Sequence, residues 1–116
     1  PGEVESVLVE HAEIAEAAVI GVPHEVKGEC LVCFVVLMPS STYSAEMQAE
    51  LREMVGHRLG PVLRPDTIIP VQALPKTRSG KIVRASIKRK YLGEPVGDLS
   101  SVENPDALEQ IKSVKG

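Results

Sequence analysis

Two apolar segments rich in β-branched residues are separated by only a few polar residues, and this spacing limits the folds open to the chain. The first segment covers residues 17–22 and is closed by Pro23, and the second covers residues 29–38 and stops at a Pro-Ser-Ser-Thr sequence. The turn between them, residues 24–28, is too short for the crossover that a parallel pair of strands requires. We therefore expect two adjacent antiparallel strands.

The segments before and after these strands have apolar residues at helical spacing. Acidic residues in the first turn and apolar residues at helical spacing predict a helix over residues 3–11. A second helix is predicted from an N-cap at Ser44 to Leu59, where a Gly-Pro pair ends the apolar periodicity. Residues 67–71 contain Pro70 and are expected to form an edge strand or the end of a strand.

The second half of the chain completes the predicted fold. We expect a loop or tight hairpin (74–81), a short helix (84–92), a linker (94–98) and a small terminal helix or tail (104–115). The order of helices and strands does not alternate as in a parallel βαβ series. The predicted class is α+β, with a small antiparallel sheet of about three strands plus a short hairpin, flanked by helices.

Composition and the N-terminal residues argue against membrane and secreted proteins. The chain has 116 residues, 43% of them apolar, but no apolar run approaches the ~20 residues of a membrane-spanning helix. It begins Pro-Gly-Glu, unlike a secretory signal peptide. We expect a soluble cytoplasmic protein with no membrane partner, and the lack of an initiating methionine indicates that Pro1 lies inside a longer protein.

Cys30 and Cys33 form a C-x-x-C pair, a spacing that occurs in redox and zinc sites. On a strand, however, side chains at i and i+3 point to opposite faces, so these two sulfurs cannot share a metal ion or close a disulfide. We expect two small buried or half-buried residues in a reducing compartment.

Charge is distributed unevenly along the chain. The net charge is −3, yet the segment from Lys76 to Lys90 carries seven basic residues and no acid. The rest of the chain holds six basic residues against sixteen acids. The net charge argues against general nucleic-acid binding, and the basic segment is where a function is expected.

Residues 74–82, Leu-Pro-Lys-Thr-Arg-Ser-Gly-Lys-Ile, are the most informative part of that segment. The Gly80-Lys81 pair also occurs in phosphate-binding Walker loops, but such loops need Gly at the place of Pro75 and Ser or Thr at the place of Ile82. A Ser-Gly turn lets the backbone approach a ligand, and the neighbouring hydroxyls and cations can bind phosphate or carboxylate oxygens. A solvated basic loop leading into a basic helix is the alternative on composition alone.

The same string resembles the carboxy-terminal lysine motif of adenylate-forming enzymes, which include acyl-CoA synthetases, luciferases and peptide-synthetase adenylation domains. The resemblance covers nearly the whole chain: residues 2–5 resemble the end of the family's hinge motif, and residues 17–28 its first strand and turn. Residues 59–61, 64–66 and 97–101 are closer still to the acetyl- and propionyl-CoA synthetase branch.

This resemblance implies that residues 1–93 form a mobile C-terminal lid domain and residues 94–116 a tail, with a large N-terminal ATP-binding domain absent from this chain. The implied enzyme is an AMP-forming acyl-CoA synthetase for a short-chain acid, acetate or propionate. Its substrates would be the carboxylate, ATP with Mg²⁺, and coenzyme A, none tightly bound to this fragment, which we expect to be inactive alone. Adenylation would come first, and thioester formation would follow a rotation of the small domain.

The resemblance also assigns residues around the Gly-Lys pair. Lys81 matches the catalytic lysine, whose ammonium reaches the substrate carboxylate and the α-phosphate oxygens. Thr77, Arg78, Ser79 and Gly80 match the substrate and nucleotide loop, with Gly80 permitting close approach and the two hydroxyls shaping the turn. Acetylation of Lys81 would remove its charge and stop adenylation, which implies an acetyltransferase and a deacetylase as partners.

A magnesium site is implied near the end of the first helix. Val9, His11 and Ile14 fall where acetyl-CoA synthetases hold magnesium, two of the ligands being backbone carbonyls. From the sequence alone, His11 near a helix end is more often a surface residue or a cap.

The coenzyme A contact departs from the family pattern. The arginine that meets the coenzyme A phosphate in this branch falls at Gly56, so His57, Arg58 or Arg52 could substitute, or coenzyme A is held differently. We place the coenzyme A region at Gly56 and Arg58.

Two other functions stay open. An adenylation domain serving a carrier protein would have the same lysine motif, and acceptor assays would separate it from a synthetase. A stand-alone module could bind RNA through the basic segment, but only Tyr91 is aromatic near it and the remaining surface is acidic, so no nucleic-acid partner is expected. The acyl chain is not fixed by this fragment, because the family's carboxylate pocket lies in the missing domain.

Overall fold

The computed structural model describes residues 2–24, 26 and 28–111, which divide into two compact units, one ending at Pro70 and one beginning at Val71. The first unit contains helix α1 (Gly2–Leu8), strands β1 (Ile14–His24) and β2 (Gly28–Leu37), helix α2 (Ala45–Leu59), a 3-10 turn (Pro61–Leu63) and strand β3 (Thr67–Pro70). The second contains helix α3 (Arg84–Leu92) and a 3-10 helix (Pro105–Gln110). The domain boundary placed after residue 93 stays a prediction.

Strands β1 and β2 form the antiparallel pair that the short turn predicts. Their register runs from Ile14 opposite Leu37 to His24 opposite Gly28, with an irregularity between Ile14 and Glu16. Strand β1 starts earlier than residue 17, where the apolar run begins, because main-chain pairing continues past that run. Residues 25 and 27 of the predicted turn lie outside the described residues.

Strand β3 is an edge strand, as Pro70 predicts, in a sheet of order β1-β2-β3. It runs parallel to β2, with Val32 opposite Thr67 and Val35 opposite Pro70. The α+β class with three strands and flanking helices is confirmed, but the sheet is mixed, where we expected antiparallel pairing only. The connection from β2 to β3 passes through α2, and a connection of that length permits the parallel crossover.

Aliphatic side chains build the core of the first unit, since Phe34 is the single phenylalanine and the chain has no tryptophan. Side chains from both helices and all three strands form one buried cluster: Val4, Val7, Leu8, Ile14, Ala17, Val19, Cys33, Val35, Met47, Leu51, Val55 and Ile68. Helix α2 begins where predicted, because the Ser44 hydroxyl accepts the backbone N–H of Met47 at 3.1 Å. No helix in the described part of the chain is long and apolar enough to span a bilayer.

A buried carboxylate joins α1 to the sheet. Glu5 is 9% exposed, and its Oε2 accepts the backbone N–H of Val19 at 2.8 Å. Because β1 is an edge strand, this bond occupies a main-chain donor that no neighbouring strand would bind.

Both cysteines keep their thiols, as predicted, with Cys30 half-buried and Cys33 buried. Burial, with a smaller contribution from the nearby Glu5 carboxylate, raises the pKa of Cys33 to about 12. At neutral pH this thiol is therefore protonated and a poor nucleophile.

Candidate functional site

The lysine loop is a tight hairpin in the second unit, as predicted. The backbone N–H of Thr77 donates to the carbonyl of Lys81 at 2.8 Å, and the N–H of Gly80 donates to the carbonyl of Thr77 at 2.9 Å. Outside this turn, Lys76 and Ile82 form an antiparallel bridge. Main-chain bonds therefore fix the backbone position of Lys81.

Gly80 is required by the backbone of this turn. Its φ is +89°, in the left-handed region that other residues adopt only with strain. A Cβ at this position would meet no atom within 4 Å. Conformation, and not lack of space, therefore selects glycine, and the open surroundings leave room for a ligand.

The two hydroxyls beside Lys81 bond within the turn. Thr77 Oγ1 accepts the backbone N–H of Lys81 at 3.2 Å and lies 3.0 Å from Ser79 Oγ. This arrangement shapes the turn. Contact of these residues with a nucleotide stays a prediction.

The two cationic side chains at the hairpin tip, Arg78 and Lys81, face solvent. The Lys81 side chain is exposed and makes no hydrogen bond or ion pair with the residues that the structure describes. Arg78 is 95% exposed, and its Nε lies 3.6 Å from Glu103 Oε2, a pair that solvent screens strongly. Because no neighbouring acid among the described residues competes for its ammonium, Lys81 can bind an incoming oxyanion through charge-assisted hydrogen bonds.

A polar depression of about 570 Å³ lies beside the hairpin tip. Its lining residues are Thr77, Arg78, Ser79, Ser100, Ser101, Val102 and Glu103. The tail of the chain therefore contributes one side of the surface around the lysine loop.

The tail also pairs with the hairpin through main-chain groups. Thr77 and Val102 form an antiparallel bridge, and the N–H of Glu103 donates to the carbonyl of Lys76 at 2.7 Å. Sequence reasoning assigned residues 94–116 no part in the site. This contact could not be predicted, because main-chain pairing between distant segments does not depend on a recognisable residue pattern.

The side chain of Asn104 completes this contact. Its Oδ1 accepts the backbone N–H of Lys76 at 2.8 Å, and its Nδ2 donates to the carbonyl of Leu74 at 3.0 Å. The Asn-Pro pair that opens the 3-10 helix marks a turn in the sequence, but nothing in it indicates a partner near Leu74.

Of the predicted magnesium residues, Val9 and His11 lie between α1 and β1, and Ile14 is the first residue of β1. His11 Nδ1 accepts the backbone N–H of Glu13 at 3.1 Å, and His11 Nε2 lies 3.3 Å from Glu50 Oε2. Val9 is exposed, and the N–H of Ile14 donates to the carbonyl of His11 at 3.1 Å.

The His11 ring is not a free ligand in this structure, and the predicted magnesium site stays a prediction. Both ring nitrogens of His11 are already engaged, and Mg²⁺ prefers oxygen ligands. Among residues 2–24, 26 and 28–111, no three His, Cys, Asp or Glu side chains group closely enough to hold a metal ion. In this structure the His11 ring bonds the turn between α1 and β1 on one side and Glu50 of α2 on the other.

The guanidinium of Arg64 packs over Gly56. A Cβ at residue 56 would lie 3.1 Å from Arg64 Nε, so the bare helix surface is what lets the arginine lie there. Glu53, Gly56, His57 and Arg64 line a polar depression of about 230 Å³. Sequence reasoning missed Arg64 because it lies after the 3-10 turn and away from α2 along the chain.

Two of the substitutes considered for the coenzyme A contact are engaged elsewhere. Arg58 forms an exposed ion pair with Glu10, whose hydrogen bond and charge raise the pKa of the guanidinium. Arg52 Nε donates to the carbonyl of Pro65 at 3.0 Å. Within the described residues, Arg64 is the arginine that the structure places against Gly56.

Comparison with known proteins identifies a family whose match to this chain ends at Lys81. The family model for the AMP-binding enzyme C-terminal domain matches residues 3–81, from α1 to the lysine itself. The chain belongs to this family. The resemblance found in the sequence is therefore confirmed.

Its relatives are acyl-CoA synthetases. The chain is 49% identical over 109 residues to the acetyl-coenzyme A synthetase of Methanothrix thermoacetophila, with 94% of this chain and 16% of that protein covered. It is 48% identical over 113 residues to that of Nitrosomonas europaea, with 94% and 17% covered. The chain thus spans about a sixth of the length of these relatives.

Solved structures show the same relationship. The acetoacetyl-CoA synthetase from Streptomyces lividans superposes with a TM-score of 0.81 at 26% identity, covering 92% of this chain and 16% of that one. An acyl-CoA synthetase from Brucella canis superposes with a TM-score of 0.70 at 42% identity, covering 72% and 16%.

Proposed function

We propose that this domain supplies the adenylation lysine of an AMP-forming acyl-CoA synthetase that acts on acetate or propionate in the cytoplasm. The observation that carries the proposal is Lys81, an exposed ammonium without a partner among the described residues, held on a hairpin whose backbone is fixed by hydrogen bonds. The relatives named acetyl-coenzyme A synthetase support the short-chain acid.

In the adenylation step a carboxylate oxygen of the acid attacks the α-phosphorus of ATP. The new bond joins that oxygen to phosphorus, the bond from phosphorus to the bridging oxygen breaks, and pyrophosphate leaves with the electron pair. Negative charge builds on the oxygens around the α-phosphorus, where the Lys81 ammonium would lie. One preorganised charge of this kind contributes about 3 kcal/mol, or roughly 10²-fold in rate.

The second step forms the thioester. The sulfur of coenzyme A attacks the acyl carbon, the carbon–oxygen bond to AMP breaks, and the thiol proton is lost. We propose that the domain rotates between the steps, so that another of its surfaces faces the reaction and Lys81 takes no part.

Coenzyme A carries phosphate groups that need a cation. The Arg64 guanidinium over Gly56, with His57 in the same depression, supplies one where the family arginine is missing. We assign Arg64 to the coenzyme A phosphate contact in place of Arg58, which is paired with Glu10.

Lys81 is also the proposed site of regulation. Its exposure at a hairpin tip makes it accessible to an acetyltransferase, and acetylation removes the charge that adenylation needs. A deacetylase would restore it.

The test compares two half-reactions of the full-length synthetase that carries this domain. Lys81→Ala should lower pyrophosphate release from acid and ATP by about 10²-fold, because one preorganised charge is lost. Thioester formation from supplied acyl-adenylate and coenzyme A should stay near the wild-type rate.

The matched control is Lys88→Ala, which removes the same charge from α3 and should change neither rate. Equal loss of both half-reactions in a folded Lys81→Ala enzyme would rule out a lysine confined to adenylation.

A further inference from the structure

We propose that Asn104 is a positioning residue that holds the lysine hairpin in its reactive geometry, an inference that rests on the proposed function of Lys81. The Asn104 carboxamide bonds two main-chain groups of the segment that leads into the hairpin. Its Oδ1 accepts from Lys76 N–H at 2.8 Å and its Nδ2 donates to the Leu74 carbonyl at 3.0 Å. Only one orientation of the amide satisfies both contacts.

Further bonds connect this segment to Lys81. Lys76 pairs with Ile82 across the hairpin, and the next residue, Thr77, bonds the main chain of Lys81 through its N–H and through its hydroxyl. The Lys81 side chain has no partner of its own in the described part of the chain. The main chain of the hairpin therefore sets the position from which the Lys81 side chain extends, and Asn104 bonds this main chain at Leu74 and Lys76.

Residues next to Asn104 add to this contact between the tail and the hairpin. Consecutive tail residues bond both main-chain groups of Lys76. The N–H of Glu103 donates to its carbonyl, and Asn104 Oδ1 accepts from its N–H. The tail is itself anchored by the buried side chains of Val102, Ala107, Leu108 and Ile111. A packed tail can therefore transmit its position to the hairpin.

This contact matters to catalysis because reacting groups tolerate little displacement. A shift of about 1 Å in a positioned group can slow a reaction by about 10²-fold. Asn104 touches no group of the proposed reaction, so its effect would pass through Lys81. Loss of Asn104 should then slow adenylation and spare thioester formation.

The experiment uses the full-length synthetase and the two half-reactions already described. Asn104→Ala should lower pyrophosphate release by about tenfold or more, within the range for a misplaced catalytic group, and leave thioester formation near wild type. Asn104→Asp keeps an acceptor for Lys76 N–H but sets a carboxylate oxygen against the Leu74 carbonyl, so it should restore the adenylation rate only in part. Glu109→Ala, an exposed change on the same tail, should alter neither rate.

Hydrogen exchange supplies a readout at the contact itself. The amides of Lys76 and Glu103 should exchange faster in Asn104→Ala, while the unfolding temperature of the enzyme changes little because the buried tail residues are untouched. If Asn104→Ala does not fold, Asn104→Gln replaces it, since the longer side chain keeps the amide but displaces the hairpin. Selective loss of adenylation in that variant supports the proposal, and wild-type adenylation overturns it.

Two results would overturn the inference and leave the function of Lys81 intact. They are wild-type adenylation in Asn104→Ala, or equal loss of both half-reactions, each alongside a Lys81→Ala enzyme that has lost adenylation. Normal adenylation in Lys81→Ala would instead remove the proposed function itself.

Discussion

At the scale of single residues, the positive φ of Gly80 connects backbone conformation to the position of Lys81. Glycine adopts this conformation freely, whereas an L-residue there costs about 1–2 kcal/mol. Because a Cβ at residue 80 would meet nothing within 4 Å, a substitution tests backbone strain without adding a clash. The turn is then expected to open, which moves the lysine that follows it.

We expect Gly80→Ala to slow adenylation in the full-length synthetase. The matched control is Gly28→Ala, because Gly28 has a φ of +85° and equally open surroundings but lies at the start of β2. Both variants should lose similar stability in thermal or denaturant unfolding, and only Gly80→Ala should lose adenylation. Equal slowing by the two variants would show that lost stability, and not the lysine turn, causes the effect.

At the scale of helices and strands, local signals predicted most of the fold. Helix α2 was predicted from its cap to its last residue, because Ser44, the apolar period and the Gly-Pro stop all act within a few residues of one another. Helix α3 was predicted with both bounds, and Gly93 ends it in the left-handed conformation with φ of 74°. The predicted terminal helix is a 3-10 helix over Pro105–Gln110, and residues 112–115 lie outside the described residues.

The features that the sequence did not predict depend on contacts between distant segments. The parallel pairing of β3 depends on which way the chain runs when it returns to the sheet after α2, and no residue pattern records that direction. For the same reason, the contact between Asn104 and the hairpin and the packing of Arg64 over Gly56 became visible only in the folded chain. The lysine loop itself was predicted because its motif is continuous in sequence.

The surface of α2 carries the next prediction. If Arg64 binds a coenzyme A phosphate, Arg64→Ala should raise the KM for coenzyme A in the full-length enzyme and leave pyrophosphate release unchanged. Losing one hydrogen bond to a charged group costs about 1.5–3 kcal/mol, which corresponds to roughly 10- to 100-fold in KM. Arg58→Ala is the control, because its pairing with Glu10 predicts an unchanged KM. A raised KM for coenzyme A in Arg58→Ala, with an unchanged KM in Arg64→Ala, would assign the phosphate contact to Arg58.

At the scale of the whole molecule, the charge distribution matches a domain that meets an anion at one segment only. The seven basic residues from Lys76 to Lys90 lie in the second unit, whereas the chain as a whole has a net charge of −3. A general nucleic-acid surface would need basic residues over a wider area and aromatic side chains for stacking. A single basic segment agrees with the proposed approach of nucleotide phosphates to the lysine hairpin.

The chain matches one domain of much longer acetyl-coenzyme A synthetases, and the proposed function therefore predicts how it behaves alone. Adenylation needs two substrates held in line and shielded from water, and an exposed hairpin provides one charge but neither of these conditions. The isolated 116 residues should therefore release no pyrophosphate from acetate and ATP above the level of a Lys81→Ala chain, measured by a coupled pyrophosphate assay. The full-length synthetase is the positive control, and circular dichroism checks that the isolated chain is folded. Pyrophosphate release by the folded isolated chain that depends on Lys81 would show that these residues form a complete active site, contrary to the proposal that Lys81 acts on substrates held by another domain.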